Sequence, residues 1–232
     1  MALRCLLDSG SGGLGVGLKT AERLRLEPFG EFNLAGIGAY ATALVEAGPL
    51  MIGGATFGNA RFAVVTDLPP GADLVLGSDF FASCRVRIDY PRHEVSISTD
   101  AGSASEAEEL PVTYAAQRPQ VALRLGALAT ELVIDTGDDA AINLSYGYYR
   151  KHSELFATEG RAEARGIGGA SDVLTGTISS VELGSIRLAR VPVVVTRRSL
   201  EPQGRIGGAL LQTLVVTFDL AHDRVGFHSA QR

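Results

Sequence analysis

Two short segments of the chain place an aspartate next to a hydroxyl residue and a glycine. Asp8-Ser9-Gly10 follows the apolar residues 5–7, and Asp135-Thr136-Gly137 follows the apolar residues 132–134. Two carboxylates held a few ångströms apart cannot both ionise cheaply, so they share one proton, and one acts as acid while the other acts as base. Such a pair can activate a water molecule without a metal ion or a covalent intermediate. Asp8 and Asp135 are therefore the first candidates for catalysis.

The two Asp segments open two copies of one longer pattern. The aspartates are 127 positions apart (135 − 8). A Gly-Ile-Gly segment follows each of them, and these two segments are 130 positions apart (166 − 36). These segments are Gly36-Ile37-Gly38 and Gly166-Ile167-Gly168-Gly169. An apolar segment ending in glycine comes next, at Gly77 and Gly207, again 130 apart. A repeat of this length indicates a duplicated domain-sized unit.

Further landmarks in each copy predict strands and turns. A glycine turn near residues 53–54 and near residue 184 predicts a hairpin, and a short helix is expected after each of the two glycine-ended segments. Strand pairs are predicted at residues 85–90 with 93–98, and at residues 214–219 with 223–228. The second copy also contains a strand-like segment at residues 120–125, followed by a candidate turn at Gly126-Ala127. Only seven residues precede Asp8, so we expect the matching first strand to be missing, supplied from elsewhere or removed by trimming.

Composition and charge narrow the class of protein. The chain of 232 residues is 46% hydrophobic and 20% charged, with 28 glycines, nine prolines and no Trp, which predicts a globular, mostly β protein. The net charge of −5 and the absence of a Lys/Arg block argue against nucleic acid or an anionic membrane as partner. The apolar runs are shorter than the roughly 18 residues of a membrane span. No targeting segment opens the chain, so the compartment stays open, with a trimmed exported (periplasmic) form as one alternative.

The Asp-Ser/Thr-Gly segments, the Gly-Ile-Gly hairpins and the glycine loops before short helices together resemble the retropepsin-like aspartic peptidases. The resemblance covers nearly the whole chain, once in each half. It implies an all-β fold of two retropepsin-like (acid protease) lobes related by a pseudo-two-fold axis. We expect lobes at residues 1–98 and 110–232 with a linker at residues 99–109, whose composition is rich in Ala, Ser, Gly and Glu.

The same resemblance assigns roles to residues. It implies that Asp8 and Asp135 activate one water and that the hydroxyls of Ser9 and Thr136 hydrogen-bond across the axis. It also implies that Gly10 and Gly137, which lack side chains, allow the two Asp loops to approach each other and the substrate backbone closely. The two Gly-Ile-Gly segments would be flaps over an extended peptide substrate. The expected protein is a monomer, since its second half replaces a partner subunit, and it uses neither cofactor nor metal.

Two residues depart from the family pattern, because Ser11 and Asp138 follow the motif glycines where the family usually has a small residue. A hydrogen bond from Ser11 would lower the pKa of Asp8, and the charge of Asp138 would raise the pKa of Asp135. We therefore expect Asp135 to be the protonated partner of the pair.

Alternative interpretations remain. Gly10 to Gly15 fits G-x-G-x-x-G, with Glu31 further on, but glycine hairpins rather than βαβ units follow it. The four histidines lack metal-ligand spacing, both cysteines (Cys5 and Cys84) are expected to be buried free thiols, and three further aspartates are expected to be structural: Asp79, Asp89 and Asp219. For function, the alternatives are an inactive peptide-binding module of the same fold and a carboxylate-pair glycosidase.

Overall fold

The computed structural model describes residues 1–99, 108–197 and 201–229, and in these residues the chain is mostly β, as its composition predicts. The first range contains strands β1 (Cys5–Leu7), β2 (Gly15–Gly17), β3 (Pro28–Ala35), β4 (Ala39–Ile52), β5 (Ala55–Val65), β6 (Leu74–Leu76), β7 (Arg85–Asp89) and β8 (Glu94–Ser98), with helices α1 (Leu18–Leu24) and α2 (Ser78–Ser83). The strands of the other ranges are β9 (Glu108–Ala115), β10 (Arg118–Leu125), β11 (Leu128–Ile134), β12 (Ile142–Ser145), β13 (Phe156–Gly166), β14 (Gly169–Leu183), β15 (Ile186–Thr196), β16 (Gly204–Ile206), β17 (Leu214–Asp219) and β18 (Arg224–Ser229). Helices α3 (Tyr146–Lys151) and α4 (Gly208–Leu211) and two short 3-10 turns, Ser153–Leu155 and Leu220–His222, complete them.

The strands form two sheets. The smaller has the order β1-β6-β2-β5-β4-β3, and the larger has the order β13-β14-β15-β12-β16-β11-β10-β9-β18-β17-β7-β8. Strands β7 and β8 come from the first half of the chain but belong to the larger sheet, because β7 pairs with β17. Residues from both halves therefore contribute to one continuous sheet.

The strands that lead to the two aspartates have matching partners. β1 pairs in parallel with β6, and Leu7 lies opposite Leu76. β11 likewise pairs in parallel with β16, and Ile134 lies opposite Ile206. In both halves, the strand that directly precedes the aspartate therefore lies beside the strand that directly precedes Gly77 or Gly207.

The two Asp strands differ in burial. Leu132 and Ile134 of β11 are fully buried, whereas Cys5 is exposed and Leu7 is only half-buried. The prediction that Cys5 is buried was therefore wrong, while Cys84 is buried as expected. An apolar run alone did not reveal that β1 lies at the edge of its sheet.

Most local predictions are confirmed. Hairpins turn at Gly53-Gly54 and at Gly184-Ser185, where three of these four residues are glycines with φ between 56° and 88°. Helices α2 and α4 follow the landmark glycines, and β7, β8, β17 and β18 match the predicted strand pairs. Residues 100–107 of the expected linker lie outside the described residues, and its last two residues belong to β9.

The glycine-rich loop after Asp8 leads into β2, and α1 begins only at Leu18. A dinucleotide fingerprint requires its glycines to open a helix directly, so the structure does not favour that alternative. None of the helices in the described ranges has the length and hydropathy required to cross a membrane.

Candidate active site

The main chain positions Asp8 and Asp135 in the same way. Each aspartate comes directly after a strand, and each N–H donates to a carbonyl of the neighbouring parallel strand. The Asp8 N–H lies 3.0 Å from the Leu76 oxygen, and the Asp135 N–H lies 2.9 Å from the Ile206 oxygen. The two carboxyl groups are therefore carried by short, hydrogen-bonded strand ends.

Four reciprocal hydrogen bonds join the two Asp loops. The Ser9 hydroxyl donates to the Ile134 carbonyl at 2.7 Å, and the Thr136 hydroxyl donates to the Leu7 carbonyl at 2.7 Å. Each hydroxyl oxygen also accepts the backbone N–H of the other residue, at 3.1 Å for Ser9 and 3.0 Å for Thr136. Ser9 is fully buried, so these bonds are shielded from water. The structure thus places both hydroxyls as the sequence analysis expected.

Each loop glycine lies directly against the opposite carboxyl group. A Cβ atom on Gly10 would be 2.2 Å from Cγ of Asp135, and one on Gly137 would be 2.5 Å from Cγ of Asp8. Such distances are shorter than any ordinary contact, so only glycine fits at either position. The crossed contacts also show that the two aspartates face one another across the loop pair.

We predict that Gly137→Ala displaces the Asp8 carboxyl and reduces any hydrolytic activity by at least about a hundredfold, since misplacing a reacting group by about 1 Å has an effect of that order. Kinetics of peptide cleavage would measure the loss. Gly147→Ala is the matched control, because a Cβ atom there meets no atom within 4 Å. Equal activity of the two variants would contradict the prediction.

A buried arginine contacts one aspartate of the pair. Nη1 of Arg205 donates to Oδ2 of Asp135 at 2.8 Å, and its Nε lies 3.5 Å from Oδ2 of Asp138. Its Nη2 lies 3.1 Å from Oε2 of Glu201, which also forms an ion pair with Arg118. Burial opposes the charge of Arg205, but the neighbouring carboxylates raise its pKa, so it stays cationic. The surroundings of Asp135 are therefore strongly ionic.

The two aspartates experience different electrostatic environments. Burial, the charge of Asp135 and a hydrogen bond to its carboxyl group raise the pKa of Asp8 to about 8, although the Ser11 N–H, 3.0 Å from Oδ1, opposes the rise. Burial also raises the pKa of Asp135; Arg205 opposes this effect and Asp138 adds to it. Two carboxyl groups that are coupled in this way lose their protons in two separate steps.

One hydrogen bond links the two carboxyl groups and couples their titration. Arg205 opposes the rise of both pKa values, and its direct contact is with Asp135. Asp138 raises the pKa of Asp135, as expected from the sequence, whereas Arg205 lowers it. Which aspartate carries the shared proton therefore stays a prediction. The Ser11 hydroxyl donates to Gly13 rather than to the aspartate, so only the main chain of Ser11 contributes to the effect.

The two predicted flap hairpins touch at their tips. One is formed by β3 and β4 and turns at residues 36–38; the other is formed by β13 and β14 and turns at residues 167–168. The Gly38 N–H donates to the Ile167 carbonyl at 3.1 Å, and a Cβ atom on Gly38 would lie 2.0 Å from the Gly168 oxygen. The tips can approach this closely only because they are built from glycine.

The remaining flap residues also lie at this contact. A Cβ atom on Gly36 would lie 2.7 Å from the Ile167 oxygen, and one on Gly166 would lie 3.2 Å from Cδ1 of Ile37. Gly169 has φ of 123°, a conformation that other residues rarely adopt. All the Gly-Ile-Gly residues of the sequence analysis therefore lie in the two hairpin tips.

An aspartate outside these segments holds one tip. Asp67, in the loop between β5 and β6, accepts the Gly168 N–H at 2.7 Å through Oδ2 and the Tyr40 hydroxyl at 2.9 Å through Oδ1. A charged acceptor strengthens such hydrogen bonds. Asp67 thus links the first half of the chain to the flap of the second half.

We predict that Asp67→Ala loosens the second flap. Losing the hydrogen bond to Gly168 removes about 1 kcal/mol at an exposed position, which corresponds to a severalfold faster exchange of the tip amides. Hydrogen–deuterium exchange of residues 166–169 would measure the change, and Asp172→Ala, on the stem of the same hairpin, serves as control. Unchanged exchange in Asp67→Ala would show that the tip-to-tip contact alone is sufficient.

The sequence analysis did not identify Arg205, Glu201 and Arg118. A usable signal was present, because Arg205 interrupts an otherwise apolar segment at the position where the first copy has Val75. A charged residue inside a buried strand requires a partner. The partner itself could not be read from the sequence, because Asp135 is 70 positions away.

The carboxyl groups of Asp8 and Asp135 are hydrogen-bonded to each other, whereas the paired carboxyl groups of glycosidases are about 5 Å or more apart. Within the described residues, no group of three or more His, Cys, Asp or Glu side chains could hold a metal ion. No protein-family model matches the chain, and no curated protein matches its sequence.

Proposed function

We propose that this protein is an aspartic endopeptidase of the retropepsin-like type, built as two lobes around a pseudo-two-fold axis. The observation that supports this proposal most strongly is the reciprocal set of hydrogen bonds between the Ser9 and Thr136 loops. These bonds hold two carboxyl groups together, and one hydrogen bond couples the carboxyl groups themselves. A pair that shares one proton can act as acid and base in a single step.

In the proposed mechanism, ionised Asp135 accepts a proton from a water molecule as the water oxygen attacks the scissile carbonyl carbon. Protonated Asp8 donates its proton to the carbonyl oxygen, which gives a neutral tetrahedral diol. The diol then collapses: ionised Asp8 accepts a proton from one diol hydroxyl, protonated Asp135 donates its proton to the amide nitrogen, and the C–N bond breaks. Asp8 is then protonated and Asp135 ionised, as at the start. The positive charge of Arg205 favours the form in which Asp135 carries the negative charge.

The substrate in this proposal is an extended peptide lying between the dyad and the flap hairpins. Extended chains bind such clefts through main-chain hydrogen bonds, with side chains alternating into pockets. The contact between Gly38 and Ile167 would close the hairpins over the bound peptide and exclude water. Because both carboxyl groups belong to one chain, a monomer would be sufficient for activity.

Incubation with a diverse peptide library in ¹⁸O-labelled water tests the proposal. We expect internal cleavage of peptides and one ¹⁸O atom in each new carboxyl group, because water attacks the carbonyl directly. Mass spectrometry of the products measures both. If no peptide is cut between about pH 4, near the ordinary pKa of an aspartate, and about pH 8, near the pKa of Asp8, the proposal is wrong.

The pH dependence gives a further prediction. Activity requires one proton on the dyad, and the pKa of Asp8 near 8 keeps that proton in place at neutral pH. We therefore expect kcat/KM to remain high near pH 7 and to fall as the pH rises through about 8. A pH–rate profile of the purified protein measures this, and a profile with activity only below about pH 5 would contradict the assigned pKa of Asp8.

A second candidate function is a peptide-binding module without catalysis. The ion pair between Arg205 and Asp135 supports it, because it lowers the basicity of the group that must accept the proton of water. In that case a library peptide would bind, as measured by fluorescence anisotropy, and would remain intact after long incubation. The ¹⁸O experiment on the same peptides distinguishes the two functions.

A further inference from the structure

The outer edge of β1 is uncovered in the described part of the chain. The Arg4 carbonyl accepts a hydrogen bond from the start of β6, and the Asp8 N–H donates to its end. Alternate residues of a strand direct their main-chain groups to opposite edges. The main-chain groups of Cys5 and Leu7 therefore point away from β6, toward an edge at which no described strand pairs. On this edge the Leu7 carbonyl already accepts the Thr136 hydroxyl. An uncovered edge is a ready position for an added strand.

The matching strand of the second half is covered on both edges. β11 pairs with β16 on one side and antiparallel with β10 on the other. β10 also reaches β14, where Leu125 lies opposite Val181. Val181 lies three residues before the turn at Gly184, and Leu50 of β4 lies three residues before the turn at Gly53. β10 therefore bridges β11 and β14 in the second half. In the first half, no described strand bridges the corresponding elements, which are β1 and the part of β4 around Leu50.

An apolar groove of about 270 Å³ occupies the first-half position. Its lining comes from the start of β1, from α1 and the residues after it, and from β4, β5 and β6; it includes Leu3, Leu24, Leu26, Leu50, Phe62 and Leu74. In the second half, Val181 pairs with β10 and is 1% exposed, whereas Leu50 lines the open groove. The groove thus contains the apolar surface that β10 buries in the other half.

The covering strand has a simple chemical pattern. Val121, Leu123 and Leu125 of β10 are at most 4% exposed, and the residues between them are polar or small. In the neighbouring strand β11, Leu132 lies opposite Val121 and is fully buried, while Cys5, 127 positions earlier, is exposed. A strand with apolar side chains at alternate positions therefore fits this surface.

We propose that the β1 edge and the neighbouring groove bind an extended peptide strand with apolar side chains at alternate positions. The strand adds antiparallel to β1 and reaches β4, as β10 does between β11 and β14. Main-chain hydrogen bonds to Cys5 and to the Leu7 N–H align it, and its apolar side chains fill the groove. The site borders the Asp8 loop at Leu7, but binding of the strand does not require catalysis.

A peptide with the sequence of residues 118–127, acetylated and amidated at its ends, tests the proposal. The probe is the alkylation of Cys5, which lies at the proposed edge, whereas Cys84 is buried. We expect the peptide to slow alkylation of Cys5 at least about fivefold at saturation, as measured by mass spectrometry, and to raise the melting temperature. The control peptide carries Asp in place of the residues at positions 121, 123 and 125, so it keeps the length but loses the apolar face.

Each outcome decides the proposal. Protection of Cys5 by the first peptide and not by the control supports it, and Leu50→Asp in the protein should then abolish the protection. No protection, or equal protection by both peptides, overturns it. If Cys5 becomes protected as the protein concentration rises without peptide, and the protein sediments as a dimer, a second copy covers the edge and the peptide assignment is wrong.

Discussion

Replacing Asp8 or Asp135 by asparagine is expected to reduce kcat/KM for peptide hydrolysis by at least about a thousandfold. An amide can neither accept the proton of water nor share a proton with the remaining carboxylate. The two losses should also be similar in size, since the residues act as one unit and the effects of such residues are not additive. The double variant should therefore be little worse than either single variant.

The same variants should keep the fold, and one of them should become more stable at high pH. The folded pKa of Asp8 near 8 lies above its ordinary value of 3.8, so folding takes up a proton between these values. The wild type then loses stability as the pH rises from about 4 to about 8, and Asp8→Asn lacks this loss. We expect the melting temperature of Asp8→Asn to exceed that of the wild type at pH 8 and to approach it at pH 4.

Asp79→Asn is the matched control for both measurements, because it is the same chemical change at an exposed position of α2. It should leave cleavage and the pH dependence of melting unaltered. Full activity in Asp8→Asn would rule out the shared-proton mechanism. A melting curve of Asp8→Asn that follows the wild type at every pH would rule out the raised pKa instead.

Replacing Arg205 by methionine is expected to affect both stability and pH dependence. The side chain is 21% exposed and contacts three carboxylates, which would lose their common cation. Removing one partner from a mostly buried ion pair destabilises a protein by about 3 kcal/mol, measurable by urea denaturation. Arg205 also lowers the pKa of Asp8 and of Asp135, so its removal should move both limbs of the pH–rate profile to higher pH.

Two further variants give this experiment its controls. Arg205→Lys keeps the positive charge but not the planar group, so it should restore part of the pH profile and less of the stability. Arg150→Met makes the same change at an exposed position of α3 and should alter neither measurement. If Arg205→Met shifts the profile to lower pH or leaves it unchanged, the proposed effect of Arg205 on the two carboxyl groups is wrong.

The sequence predicts the parts of this site that depend on short motifs. Asp8, Ser9 and Gly10 act within one turn, so their roles follow from residue type and from the second copy 127 positions later. The glycine tips at residues 36–38 and 166–169 could be predicted for the same reason, because a turn reveals itself locally. The hairpins and the terminal strand pairs were predicted from alternation and glycine placement.

The rest depends on contacts between distant residues. Arg205 reaches Asp135 across 70 positions, and Asp67 reaches Gly168 across 101, so neither pair has a local pattern. The exposure of Cys5 depends on which strand lies beside β1, and its own sequence does not specify this. For the same reason the balance of charge between the two aspartates could not be predicted, because a pKa is determined by all neighbouring charges, including those brought there by folding.

The path of the chain through the larger sheet has a consequence for synthesis. β7, from the first half, is hydrogen-bonded to β17, and Asp135 is held by the carbonyl of Ile206. On a ribosome these bonds cannot form until residues 204–219 have left the exit tunnel, long after both aspartates have emerged. A growing chain therefore contains both aspartates before the strands that position their carboxyl groups have been made. The pair of aspartates can assemble only after β16 and β17 have emerged.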